Sequence, residues 1–110
     1  MTVRDISALW AAGRSCVSRG ALDVDNKGRL WSYNLQIGER RPHGKGYTLV
    51  VWDYTGDAAI SHTTSVHVTL AVTAAVNAHI TNGVSYSVLP VPYREVALAR
   101  SLPGVGDPRS

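Results

Sequence analysis

The chain carries a single cysteine, Cys16, among 110 residues. One thiol excludes an internal disulfide and a zinc site built on cysteines, and the expected role of Cys16 is that of a small buried hydrophobe. No run approaches the about 18 consecutive apolar residues of a membrane span. The opening Met-Thr-Val-Arg-Asp has no apolar signal core, so a cytoplasmic protein without membrane contact is expected. A glycine-rich phosphate loop is also lacking, because Gly104-Val105-Gly106 opens no helix. No cofactor motif, internal repeat or second domain is visible. The expected organisation is one domain over residues 1–102 and a flexible tail over 103–110, rich in Pro and Gly.

Apolar residues make up 45% of the chain, enough for a modest core. The net charge of +3 and the pI near 9.4 permit an acidic partner without demanding one.

The first helix is expected over Thr2–Val17. Thr2 is a suitable N-cap with Asp5 three residues on, a variant of the capping box. Ile6, Leu9, Trp10, Gly13 and Val17 fall on one helical face, and Gly20 is the expected stop. Ala21–Val24 reads as a short strand, followed by a turn at Asp25-Asn26-Lys27-Gly28. Trp31, Tyr33, Leu35 and Ile37 alternate with Ser32, Asn34 and Gln36, which predicts one continuous strand with an apolar face. A loop over Glu39–Gly46 follows, carrying Arg40, Arg41, His43 and Lys45. Tyr47–Tyr54 is apolar at nearly every position, the pattern of a strand covered on both faces. Thr55-Gly56-Asp57 is a turn signal. Val84–Leu89 is a further strand candidate. Pro90 and Pro92 interrupt the chain, and Tyr93–Ser101 has room for a short helix.

The stretch Ile60–His67, Ile-Ser-His-Thr-Thr-Ser-Val-His, stands where strands give way to a small-residue segment. Ser61, Thr63, Thr64 and Ser65 are all suitable N-cap residues. Ser65, Thr69, Thr73, Asn77 and Thr81 then recur every four residues on an otherwise apolar background, as on a buried helix with one wet edge. A strand competes, since Val66, Val68, Leu70 and Val72 alternate. The alternation stops at Ala74-Ala75 while the stripe persists, so the prediction is a helix ending at Asn82-Gly83. The expected class is α+β: a small antiparallel β-meander with an N-terminal helix and a central buried helix packed on one face.

Two motifs stand in order, Leu30-Trp31-Ser32-Tyr33-Asn34 and Ser61-His62-Thr63-Thr64-Ser65-Val66-His67. Together they resemble a family of small uncharacterised proteins of phages and mobile elements. That family has a Ser-Tyr-Asn strand, a second strand, and then Tyr-Ser-x-Thr-Thr-Ser-x-His opening a helix. The resemblance spans roughly residues 30–80, with Ser32, Tyr33, Asn34, Ser61, Thr63, Thr64, Ser65 and His67 matching. Ile60 stands where the family pattern has Tyr, so any role of that hydroxyl is absent here. The resemblance implies a fold and a phage-type origin in a bacterial host cell, without a reaction.

Metal ligands on one helix want a spacing of three or four residues. His62 and His67 are five apart, with no acid in the helix, so no metal is expected. Ser65 and His67, two apart, point about 200° away from each other on a helix. The expected role of His67 is a hydrogen bond to the Ser32–Asn34 strand, with Thr63, Thr64 and Ser65 capping the helix. The functional variant is an anion or phosphate site at the helix start, formed by Ser61, His62, Thr63, Thr64, Ser65 and His67. The basic loop Arg40, Arg41, His43 and Lys45 is a second candidate site, able to track a phosphate backbone. Tyr47, Trp52 and Tyr54 read as core rather than as a base-stacking platform.

The expected function is that of a non-enzymatic accessory protein binding a host or phage macromolecule, either protein or nucleic acid. A homodimer is allowed. The alternatives are a basic nucleic-acid-binding module and a histidine-dependent phosphate-processing enzyme.

Overall fold

A computed structural model describes residues 2–54 and 62–89. Within them lie two helices and a six-stranded sheet, an α+β fold with both helices packed against the sheet. Ser61, the 55–57 turn, Pro90, Pro92, the 93–101 segment and the 103–110 tail fall outside the described residues.

Helix α1 (Val3–Ala11) starts as its sequence dictates. The Thr2 amide donates to Asp5 Oδ2 at 2.7 Å, and the Asp5 amide donates to Thr2 Oγ1 at 3.3 Å, closing a capping box. The hydrogen bonds to Thr2 hold the Asp5 carboxyl below its ordinary range. Ile6, Ser7, Trp10 and Ala11 are buried against the sheet and α2.

The helix is shorter than its spacing implied. It ends at Ala11, and the chain turns at Gly13, whose φ of +94° suits glycine; Val17 begins the next strand and Gly20 lies in the turn after it. β1 (Val17–Arg19) and β2 (Leu22–Val24) form a hairpin around Gly20 at φ +60°. Cys16 precedes β1 at φ +58° with its thiol exposed, so it is not the buried hydrophobe expected.

The continuous strand predicted over Trp31–Ile37 is two strands. β3 (Arg29–Ser32) and β4 (Leu35–His43) pair antiparallel with Ser32 opposite Leu35, leaving Tyr33 and Asn34 as a two-residue turn. Tyr33 adopts φ +53°, which ordinary residues rarely do. A register shift between Leu30 and Trp31 accompanies a change of face in β3 alone, while Leu35 and Ile37 keep the face expected of them. Leu30, Leu35 and Ile37 join the main core cluster, Trp31 is buried outside that cluster, and Tyr33 is exposed at the turn.

The predicted 39–46 loop is mostly strand. β4 runs on to His43 and β5 (Gly46–Trp52) returns, with Pro42 opposite Tyr47 and only Gly44-Lys45 turning. Leu49, Val50 and Val51 are buried in succession, as a strand between two neighbours and covered on both faces requires.

Helix α2 (His62–Asn82) confirms the helical reading of the polar stripe. Thr69, Thr73 and Thr81 donate their hydroxyls to the carbonyls of Ser65, Thr69 and Asn77, four residues back, on the exposed side. The opposite side buries Thr64, His67, Val68, Ala71, Ala74, Ala75 and Ala78. Gly83 at φ +70° ends it, its amide donating to the His79 carbonyl at 3.0 Å.

From β1 to β5 the sheet is an antiparallel meander in chain order. β6 (Ser85–Leu89) joins β5 in parallel, because α2 carries the chain back across the sheet before it begins. The meander expectation therefore fails only at its last strand.

Trp10 is fully buried and lies across Gly38: a Cβ there would fall 2.9 Å from Trp10 Cζ2. Its indole N–H donates to the Gly28 carbonyl at 2.9 Å, which fixes α1 against β4 and the β2–β3 turn.

Candidate functional site

The two sequence motifs meet. The β3–β4 turn sits under the start of α2, and three side chains close the junction. Ser32 Oγ lies 2.7 Å from Nδ1 of His67 and 3.0 Å from Oγ1 of Thr64. Thr64 and His67 are three apart, so they share one helical face. Ser32 is 0% exposed, His67 3% and Thr64 5%. A polar cluster this deep must be satisfied internally, since each unmade hydrogen bond at such depth costs about 1–3 kcal/mol.

Burial holds the His67 pKa below its ordinary value of 6.5, so the ring is neutral at physiological pH. In the tautomer with its proton on Nε2, Nδ1 accepts from the Ser32 hydroxyl. Ser32 Oγ can then accept from Thr64. This is the contact expected between His67 and the Ser32–Asn34 segment, made by Ser32 alone.

The other motif residues point elsewhere. Tyr33 and Asn34 are exposed at the turn, Tyr33 at 54%. The Tyr33 amide donates to the Ala21 carbonyl at 2.8 Å, which ties the turn to the residue just before β2. His62 and Thr63 are exposed and Ser65 is half-buried. Because α2 begins at His62, Thr63, Thr64 and Ser65 occupy its first turn and are not its N-cap. The structure thus brings Thr64 and His67 together with Ser32 and leaves His62, Thr63 and Ser65 apart from that cluster. Among the described residues, no group of three His, Cys, Asp or Glu side chains is placed to hold a metal ion.

The basic residues also divide. Arg40 turns inward: Nη1 donates to the carbonyls of Trp10 at 2.8 Å and Arg14 at 2.7 Å, and Nη2 donates to Ser15 Oγ. Its guanidinium also lies 5.9 Å from the centre of the Tyr47 ring. Arg40 is therefore a clamp on the C-terminal end of α1, where a cation is favoured by the helix carbonyls. Arg41 pairs with Glu39 on the exposed part of β4. Arg41, His43 and Lys45 remain exposed along the hairpin.

One cluster had no counterpart in the sequence reading. Asp25 Oδ1 accepts the amides of Lys27 and Arg29, while Oδ2 accepts Arg29 Nε at 2.7 Å and Trp31 Nε1 at 3.0 Å. Burial works to raise the Asp25 pKa, but these hydrogen bonds outweigh it and the net shift is downward. The Asx-turn signal of Asp25-Asn26-Lys27-Gly28 marked the position, but nothing local showed that Trp31 would reach back to it.

No family model, curated protein or solved structure matches this chain.

Proposed function

We propose that this chain acts by binding, as a small phage-type accessory protein that engages a host or phage macromolecule. The observation that carries this reading is how the motif residues divide. The groups with nucleophilic or basic chemistry, Ser32, Thr64 and His67, are turned inward, with Ser32 hydrogen-bonded to both of the others. The groups left at the surface, Tyr33 and Asn34 at one turn and Arg41, His43 and Lys45 along another, are of recognition type. An exposed tyrosine on a two-residue turn is a rigid amphipathic anchor of the kind that dominates protein interfaces. The likeness of the two motifs to the phage and mobile-element family supports the origin.

A second reading is favoured by the β4–β5 hairpin, whose exposed positive charge suits a phosphate backbone. With Arg40 committed to α1 and Arg41 beside Glu39, this hairpin offers less free charge than its sequence implied.

The test is affinity capture from host cells with wild type, Tyr33→Ala and Lys45→Ala, with and without nuclease. The expected result is a partner that survives nuclease and is lost with Tyr33→Ala. Loss on nuclease treatment and with Lys45→Ala would move the function to nucleic acid. Capture of nothing by wild type, together with turnover of a phosphate ester abolished by Ser32→Ala, would overturn the binding reading.

A further inference from the structure

We infer that β6 is the contact of a weak, symmetric dimer, in which two copies of the chain pair antiparallel through their Ser85–Leu89 strands. Among the described residues the outer edge of β6 bears no further strand, and all five of its residues are exposed. An unpaired edge presents a row of amides and carbonyls that another extended strand satisfies.

The two edges of the sheet differ. β1 is only three residues long and ends in Arg19, and short length and charge are the usual protection of an edge. β6 is Ser-Tyr-Ser-Val-Leu, with no charge and no proline, and Tyr86, Val88 and Leu89 are each 37% exposed.

The register selects a second copy over an unrelated strand. A two-fold axis between the Ser87 residues places Ser87 opposite Ser87, and Tyr86 of each copy opposite Val88 of the other. An aromatic residue facing a β-branched one is a favourable cross-strand pair. Tyr86 and Val88 are in register with Leu49 and Val51, both wholly buried in the core, so they share the helix-side face of the sheet. The Tyr86 ring already packs edge-on against His79 of α2, with centroids 5.4 Å apart. Pairing would therefore carry the core's apolar layer across the two-fold, and no like charges would meet along the strands.

Five residues give a seam only about 17 Å long. Such a contact falls short of the about 1,000 Å² of a stable interface, so the dimer belongs to the weak, transient class.

Sedimentation equilibrium from micromolar to millimolar protein tests this on wild type, Ser87→Lys and, as a control at the opposite edge, Ser18→Lys. Thermal melts check that each variant folds. The expected result is reversible dimerisation of wild type and Ser18→Lys, weakened at least about tenfold in Ser87→Lys, where two added charges meet at the axis. A mixed-label sample should also show an intermolecular Tyr86–Val88 nuclear Overhauser contact. A wild type that stays monomeric at millimolar concentration overturns the inference. So does a dimer unchanged by Ser87→Lys, or one without the Tyr86–Val88 contact.

Discussion

Ser32 Oγ sits 2.7 Å from His67 Nδ1, a hydrogen bond between residues 35 apart in the chain that fastens the β3–β4 turn to α2. Both side chains are buried, so the bond works in a medium of low dielectric and neither partner has water as a substitute. Ser32→Ala and His67→Ala should each lower stability by about 1–3 kcal/mol, because each leaves a buried polar atom unmatched. The double variant should cost less than the sum of the two, which urea denaturation of all four proteins measures. Strict additivity would mean that the two residues do not act as a pair.

Acidification should weaken the same junction. The folded pKa of His67 lies below its ordinary value of 6.5, so in the window beneath 6.5 the unfolded chain binds the proton more readily than the folded one. The His67 contribution to stability is then fully present above about pH 6.5 and is lost as pH falls through the folded value. Asp25, also depressed, adds a second loss, present above its ordinary 3.8 and disappearing as pH falls through its lower folded value. Denaturation midpoints from pH 8 to pH 3 should fall in the upper window for wild type but not for His67→Gln. An unchanged upper window in wild type would contradict the burial of the imidazole.

Gly38→Ala should destabilise the fold by about 1–3 kcal/mol, since the new methyl would lie 2.9 Å from Trp10 Cζ2 and 3.2 Å from the Val50 carbonyl oxygen. The fluorescence of Trp10 should shift as the indole is displaced. Gly46→Ala, where the nearest atom is 4.0 Å away, is the matched control and should stay near wild type.

The basic residues should separate into structural and surface groups. Arg40→Ala removes the donors to the Trp10 and Arg14 carbonyls and should lower the melting temperature. Lys45→Ala lies on an exposed turn and should stay within about ±0.5 kcal/mol of wild type. If the hairpin contacts DNA through Arg41 and Lys45, the log–log salt slope should be about −2, and Lys45→Ala should flatten it by about one unit. Anisotropy with labelled duplex and single-stranded oligonucleotides reads both quantities. An absence of binding at low salt leaves a protein as the partner.

The features legible in the sequence are those whose cause lies within a few residues. Thr2 and Asp5 announce the start of α1 because a capping box closes across three positions. The four-residue stripe from Ser65 to Thr81 and the Asn82-Gly83 stop identify α2 because a helix repeats on that scale. Local signals failed where two of them overlapped. Apolar spacing carried the α1 expectation through Gly13, although the chain there was free to turn at φ +94° and contribute Val17 to a strand.

Tertiary structure decided the rest. Tyr33-Asn34 carries no glycine to mark a turn, and the alternation around it reads equally well as a straight strand. Only the pairing of Ser32 with Leu35 makes it a hairpin and forces Tyr33 to φ +53°. Arg40 looked like a free surface charge because its carbonyl partners, Trp10 on α1 and Arg14 just beyond it, lie 30 and 26 residues away. His67 was legible as a candidate, but its partner depended on which of Ser32, Tyr33 and Asn34 the turn directed inward. Periodicity and capping act over one or two turns of backbone, and they determined most of the elements. Which surfaces meet depends on burying those elements together, and that energy resides in contacts between residues far apart in the chain.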